Sequence, residues 1–215
     1  MNPWRRFAHE ALGRAVYLGA HLLYLPSRIV WALRRDSRRR LQVGAGRNRF
    51  PGWVNADIDP RAEVIVILGR RLPFGRGTLD RIYLEHVLEH VSYFTAVSFL
   101  TETRRVLSKG GIVRIAVPDL EDVARGYLND DWRTRFDWVN WPEFKFIATR
   151  AEMINIAFRW WGHTHLYDRQ ELARALVEAG YTQFEFVDRG KSQHPDLEGL
   201  ETRLDSTLVV EATNA

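Results

Sequence analysis

The alternation of apolar and polar positions divides the chain into three stretches. Residues 12–33 gather Val16, Tyr17, Leu22, Leu23, Leu25, Ile29, Val30, Trp31 and Leu33 between arginines, which predicts an amphipathic helix. Residues 39–118 alternate short apolar runs with glycine turns. Leu41–Val43 runs into Gly44-Ala45-Gly46, and further strands are predicted over Trp53–Ile58, Val64–Ile67 and Arg81–Leu84. Ser92 suits the N-cap of a helix over 93–108, with Ala96, Phe99, Leu100, Thr103 and Leu107 on one face. Gly110-Gly111 would end that helix, and Ile112–Val117 has the near-continuous apolar pattern of a strand buried on both faces.

The third stretch, 119–215, opens with an aromatic-rich segment to about residue 165. Asp168 and Glu171 are spaced to cap a helix whose inner face is Leu172, Ala175, Leu176 and Ala179, stopped by Gly180. Tyr181–Val187 and Thr207–Val210 are the last predicted strands. Strand–helix alternation predicts an α/β, Rossmann-like sheet. It should be mostly parallel, with helices on both faces, an antiparallel last strand and an N-terminal helical extension. The expected boundaries are 1–38 for the extension and 39–215 for the α/β domain, with 119–165 as a lid or insertion. Only residues 59–63 separate the second and third strands, too few for a crossover helix, so a reduced third strand is expected.

Charge changes this picture at one end. Residues 1–40 hold nine arginines against Glu10 and Asp36, a net of +7, whereas the whole chain carries +4. The remaining residues are therefore net −3, and the basicity belongs to the N-terminal arm. A basic amphipathic segment of this kind suits an anionic membrane surface through residues 1–36, or packing on the domain. Its longest apolar run, Ala15–Leu25, would reach only about 16 Å as a helix, short of a membrane span. No small-residue cleavage site follows before Arg34-Arg35. Nucleic acid is not expected, because Arg34–Arg40 is short and no recognition module accompanies it. The chain has no cysteine, which excludes a disulfide framework, thiolate-bound zinc and thiol catalysis, and fits a cytoplasmic location.

Chemistry enters with the glycine turn. Gly44 and Gly46 permit close approach of a ligand to the backbone, and Asp57 at the end of the second strand can accept hydrogen bonds from both hydroxyls of a ribose. The dinucleotide fingerprint wants a third glycine where Arg49 stands, which argues against NAD and FAD. An ordinary tight turn would look the same in isolation.

The ordered segments 41–46, 51–60, 72–74, 79–90, 104–111 and 117–120, with His165–Asp168 and Glu178–Tyr181, resemble class I S-adenosylmethionine (SAM)-dependent methyltransferases. They are most similar to a bacterial branch associated with polysaccharide biosynthesis. That resemblance implies SAM as cofactor, approached by Gly44, Ala45 and Gly46 and held at the ribose by Asp57. It also implies Ile58 at the cofactor, Leu72 to Phe74 bordering the adenine, and Glu85 and His86 on the methyl-transfer face. It implies a methyl acceptor that is a hydroxyl of a glycan or lipid-linked sugar, handled in the cytoplasm or at the inner membrane face. Gln42 and Ile67 depart from the pattern, since many relatives carry an acid at the first position and an acid or amide near the second.

Transfer to oxygen needs a base, and His86, His163, His165 and Asp119 are the candidates, His86 having the best location. Each such residue taken singly is more often structural. The tryptophans and phenylalanines of 119–165 suit a sugar-binding lid or a small aromatic subcore. Two other readings stand beside the enzyme. One is a non-catalytic module on the same fold. The other is a zinc peptidase reading of His86-Val87-Leu88-Glu89-His90, whose histidines at i, i+4 would share a helical face. In the main reading no metal site is assigned.

Overall fold

The computed structural model describes residues 15, 16, 18–27, 29, 31 and 37–215. Tyr17, Val30 and Leu33 of the predicted N-terminal helix lie outside them. Seven strands form one sheet in the order β3-β2-β1-β4-β5-β7-β6. They are β1 (Arg40–Val43), β2 (Val54–Asp57), β3 (Val64–Ile65), β4 (Leu79–Glu85), β5 (Leu107–Val117), β6 (Gln183–Val187) and β7 (Leu208–Thr213). The pairings among β1 to β5 are parallel, and β7 runs antiparallel to both β5 and β6. The third strand has two residues, the reduced strand that the short connection predicts.

The helices are α1 (Tyr93–Val106), α2 (Leu120–Asn129), α3 (Trp132–Arg135), α4 (Arg150–Arg159) and α5 (Arg169–Glu178). Ser92 and Asp168 cap α1 and α5 as expected, each accepting from the backbone N–H three residues on. The end of α1 differs from the prediction. The chain leaves the helix at Val106 and passes directly into β5, so Gly110-Gly111 do not cap a helix. They lie where the β4–β5 register shifts, with Gly110 at φ +74°, a glycine conformation used to bulge the strand.

Period-two alternation sorts the strands onto two faces. Leu41, Val43, Ile82, Leu84, Val113, Ile115 and Val117 point to the face covered by α1 and α5, where the main core sits. The other face carries Trp53, Tyr83 and Ile112, packed with Leu197. At its β3 edge, Ile65 and Ile67 pack with Ala20 and Tyr24 of the N-terminal helix. Helices thus lie on both faces, but no helix connects β1 to β2. The β6–β7 loop, residues 188–207, covers the middle of the second face instead. Complete burial of Leu197 contributes roughly 1.5–3 kcal/mol to that cover.

The loop is fixed by one buried cation. Arg114, in β5, donates through Nε to Glu201 Oε1 at 2.6 Å and through Nη1 to the Lys191 carbonyl at 2.9 Å and to Glu211 of β7. All three charged side chains are almost wholly out of solvent. Replacing Arg114 with Ala strands two buried carboxylates, and should cost about 3–5 kcal/mol in urea unfolding. A loss under about 1 kcal/mol would show that the network does not hold the loop.

Candidate active site

The absence of a β1–β2 helix leaves residues 44–53 as a loop whose backbone groups need partners. Buried amides from the neighbouring strands supply them. Gln42 donates to the Asn48 carbonyl at 2.8 Å, and Asn55 accepts from Phe50 N at 2.8 Å while donating to the Trp53 carbonyl at 3.0 Å. Gln42 therefore has a structural reason to be an amide and not an acid.

The turn itself is open to solvent at Gly44 and Gly46, both at positive φ. A Cβ on Gly44 would stand 2.3 Å from Val87 Cγ2, so no other residue fits there. A Cβ on Gly46 would meet nothing within 4 Å, which leaves its outer side free for a ligand. Ala45 is buried and ties β1 to the Ala56 carbonyl. Asp57 lies beside the turn, accepting from Gly46 N at 2.8 Å and from Asp59 N at 3.0 Å. Each carboxylate oxygen keeps a further lone pair, so the residues present fit the ribose end of a nucleoside cofactor.

Three residues expected at the cofactor are used otherwise. Leu72 and Phe74 belong to the main core, Phe74 packing edge-on against Trp31 at 5.5 Å. They face inward because α1 buries its apolar side there. Glu85 is fully engaged by the β6–β7 loop, accepting from Thr202 N and Oγ1, Arg203 N and Ser206 Oγ at 2.6–3.1 Å. It anchors the loop over the end of β4. Ile58 is partly buried and packs toward the N-terminal helix.

A cavity of about 1180 Å³ opens at the carboxyl ends of β4 and β5. Its walls come from 119–165 and from Thr202–Asp205 of the β6–β7 loop, with His86, Asp119 and His163 on its surface. Phe136, Trp138, Trp141 and Trp161 also line it. A subcore lies under it: Trp132 and Phe144 are buried together with Met153, and Trp160 packs on Phe144, while Phe146 and Phe158 are exposed. The aromatic subcore expected of this segment is present, and Phe136, Trp138 and Trp161 belong to it while also facing the cavity. Asp119 caps α2 by accepting from Glu121 N at 2.9 Å, and burial, with the nearby Glu121, Asp122 and Asp168, raises its carboxyl above the usual aspartate value.

His86 sits at φ +53°, a strained conformation for a side chain with a Cβ, and its N–H is held by the Ala116 carbonyl at 2.9 Å. The bend brings its ring 3.2 Å from Glu89, a buried acid that the sequence presented only inside the His-x-x-Glu-His pattern. His163 Nε2 approaches the same carboxylate oxygen, Oε1, at 3.9 Å. His165 is excluded from the cavity surface: it pairs with Glu171 at 3.0 Å and packs on Tyr167. The peptidase reading fails on backbone grounds. Only Leu88–His90 are helical, as a 3₁₀ turn, and His86 stands outside it, so His86 and His90 share no helical face.

Fold and sheet order together define an α/β, Rossmann-like protein of the class I methyltransferase architecture. Residues 41–115 match the family model described as a methyltransferase domain. A SAM-dependent methyltransferase of Thermotoga maritima shares the fold at 18% identity and TM-score 0.51, over 98% of this chain and 97% of that one. The geranyl diphosphate C-methyltransferase of Streptomyces coelicolor, solved with S-adenosyl-L-homocysteine, is 14% identical with a TM-score of 0.47, over 82% and 71% of the two chains. No curated protein matches the chain in sequence. The family match and the shared fold support a SAM-dependent methyltransferase.

Burial pushes the Glu85 carboxyl up, but the hydroxyls of Ser206 and Thr202 and the N–H groups of Arg203 and Thr202 more than offset it, leaving it below the ordinary 4.5. A depressed folded value means its stabilisation is full above the unfolded value and lost as pH falls through the folded one. Urea stability should therefore drop on acidification below 4.5 in the native chain, and drop less in Glu85→Gln. Identical acid profiles would show that the anchor carries no charge-dependent stability.

Proposed function

We propose that this protein is a SAM-dependent methyltransferase whose acceptor is a hydroxyl of a glycan or lipid-linked sugar, bound in the cavity beneath the 119–165 segment. The observation that carries the reading is the pairing of Gly46, open on its outer side, with Asp57 at 2.8 Å. SAM, when bound there, supplies an electrophilic methyl group. Asp57 grips the ribose through its spare lone pairs, and the glycine turn admits the nucleoside to the backbone. The cavity rings present flat apolar faces to a sugar, and Asp122, Asp137 and Asn140 beside them offer acceptors and donors for its hydroxyls. Asp119, at the end of β5, is positioned to take the proton of the attacking hydroxyl. Its raised value makes it a stronger base than an exposed aspartate.

Lipid-linked acceptors lie at a membrane, and the N-terminal helix suits one. Leu18, Leu22, Leu25 and Ile29 follow at i, i+4, i+7 and i+11 on its outer side, all exposed, Leu22 by 79%. With the +7 charge of residues 1–40, that face complements an anionic bilayer. Among the described residues no helix is long and apolar enough to cross one.

Calorimetry with S-adenosylhomocysteine tests the cofactor site. Asp57→Ala should lose about 10–100-fold in affinity, the worth of one or two charge-assisted hydrogen bonds. Trp141→Ala, at an exposed ring on the cavity wall, should leave that affinity intact and change turnover on sugar acceptors. An intact chain that binds neither SAM nor its product would overturn the enzymatic reading. If Asp119 is the base, turnover falls on the acid side at a pH above 3.8, and Asp119→Asn removes that limb; an unchanged profile in the variant would assign the proton elsewhere. Flotation with anionic liposomes should lose the protein when residues 1–36 are removed, and equal flotation would exclude the membrane role.

A further inference from the structure

Glu89 is fully buried, and neither of its carboxylate oxygens has a hydrogen-bond partner. A buried acid left in that state is costly unless something positive faces it. Two histidine nitrogens stand by it, His86 Nδ1 at 3.2 Å and His163 Nε2 at 3.9 Å. His163 Nδ1 lies 2.8 Å from the Ala157 carbonyl. A carbonyl has no proton to give, so Nδ1 donates, and Nε2 of the neutral ring keeps its lone pair. That lone pair points toward the lone pairs of Glu89, an arrangement that repels unless a cation lies between them. On the other side, His86 Nε2 has no hydrogen-bond partner and lies 3.5 Å from Asp205 Oδ1. A proton on Nε2 would face Asp205 and turn the Nδ1 lone pair toward Glu89.

We propose that His86, Glu89 and His163 form a binding site for a zinc-class divalent cation. One ligand atom from each lies within 4.8 Å of the others. Bonds of about 2.0–2.1 Å in tetrahedral array set ligand atoms roughly 3.3 Å apart. The 3.2 Å pair already has that spacing, and the 3.9 Å pair needs to close by about half an ångström. Two imidazoles and a carboxylate suit zinc or a neighbouring d-block ion and not magnesium or calcium, which take oxygen. The Ala157 carbonyl holds the outer nitrogen of His163, as orienting groups do in metal sites, and Asp205 stands 3.5 Å from that of His86, close enough to take the same part. The backbone assembles the set: the Glu89 carbonyl accepts from Thr164 N at 2.7 Å and His165 N at 3.2 Å, which stitches His163 to the end of β4. His86 and His163 reach the cavity surface and Glu89 does not, so an ion here would keep its open side toward the acceptor.

Metal binding at this site does not rest on the methyl-transfer reading, because zinc uptake and S-adenosylhomocysteine binding are separate titrations. The full chain, stripped with chelator, is titrated with zinc chloride by calorimetry and with cobalt by visible absorption. One equivalent should bind. Glu89→Gln and His163→Ala should each weaken binding by at least about 100-fold. Asp205→Asn, at a partly exposed residue outside the donor set, should weaken it about 10–100-fold with thermal unfolding unchanged, which separates ligand loss from misfolding. A folded native chain that takes up no zinc would overturn the proposal. Equal binding by native chain and variants, as expected of adventitious surface histidines, would overturn it too.

Discussion

The buried arginine in β5 is the interaction on which most of this molecule depends. Arg114 has Glu201 and Glu211 on either side, and only one of the two belongs to the sheet. Without the cation, the two acids would repel each other in a medium with little water to screen them. With it, a loop of some twenty residues becomes a fixed wall. That wall delivers Thr202 and Ser206 to Glu85, Asp205 to His86 and Leu197 to the sheet. The candidate site is therefore built from both ends of the chain, and its geometry inherits the rigidity of a charge network about which the motifs are silent.

The need for such a wall follows from an economy between β1 and β2. A parallel pair joined by ten residues has no crossover helix to cover the sheet, and the exposed face would carry Trp53, Tyr83 and Ile112 into solvent. The β6–β7 loop supplies the cover. Gln42 and Asn55 supply the hydrogen bonds that a helix would have made within itself. Removing the helix also leaves the glycine turn open on its outer side at Gly46, where Asp57 waits. The short connection that demands a substitute cover thus also leaves the glycine turn and Asp57 accessible.

What was legible in the sequence is what local periodicity and local caps encode. The strands alternate with period two, α1 and α5 begin at side chains that cap them, and the glycine turn with Asp57 lies within one β-turn-β unit, so all of these could be read directly. Leu72 and Phe74 were read as adenine neighbours by resemblance, although their apolar character already suited the core where the structure places them. The role of Glu85 was hidden because its partners lie more than a hundred residues away, in a loop with no periodicity to announce it. Glu89 was hidden differently. Its pattern suggested a helix, and a strained His86 turned the segment into a single tight turn instead.

That strain is the last link between fold and chemistry. A non-glycine residue at positive φ costs of order 1–3 kcal/mol and persists only where its surroundings over-determine it. The His86 N–H bonded to β5 fixes the backbone, and Val87, pressed against Gly44, holds the next step of the chain. The glycine turn and the histidine bend are therefore one packing unit: a side chain at residue 44 would displace Val87, and with it the ring that faces Glu89. The glycine turn and the acid–histidine cluster thus meet at Val87, so a side chain at residue 44 would press on the segment that carries His86.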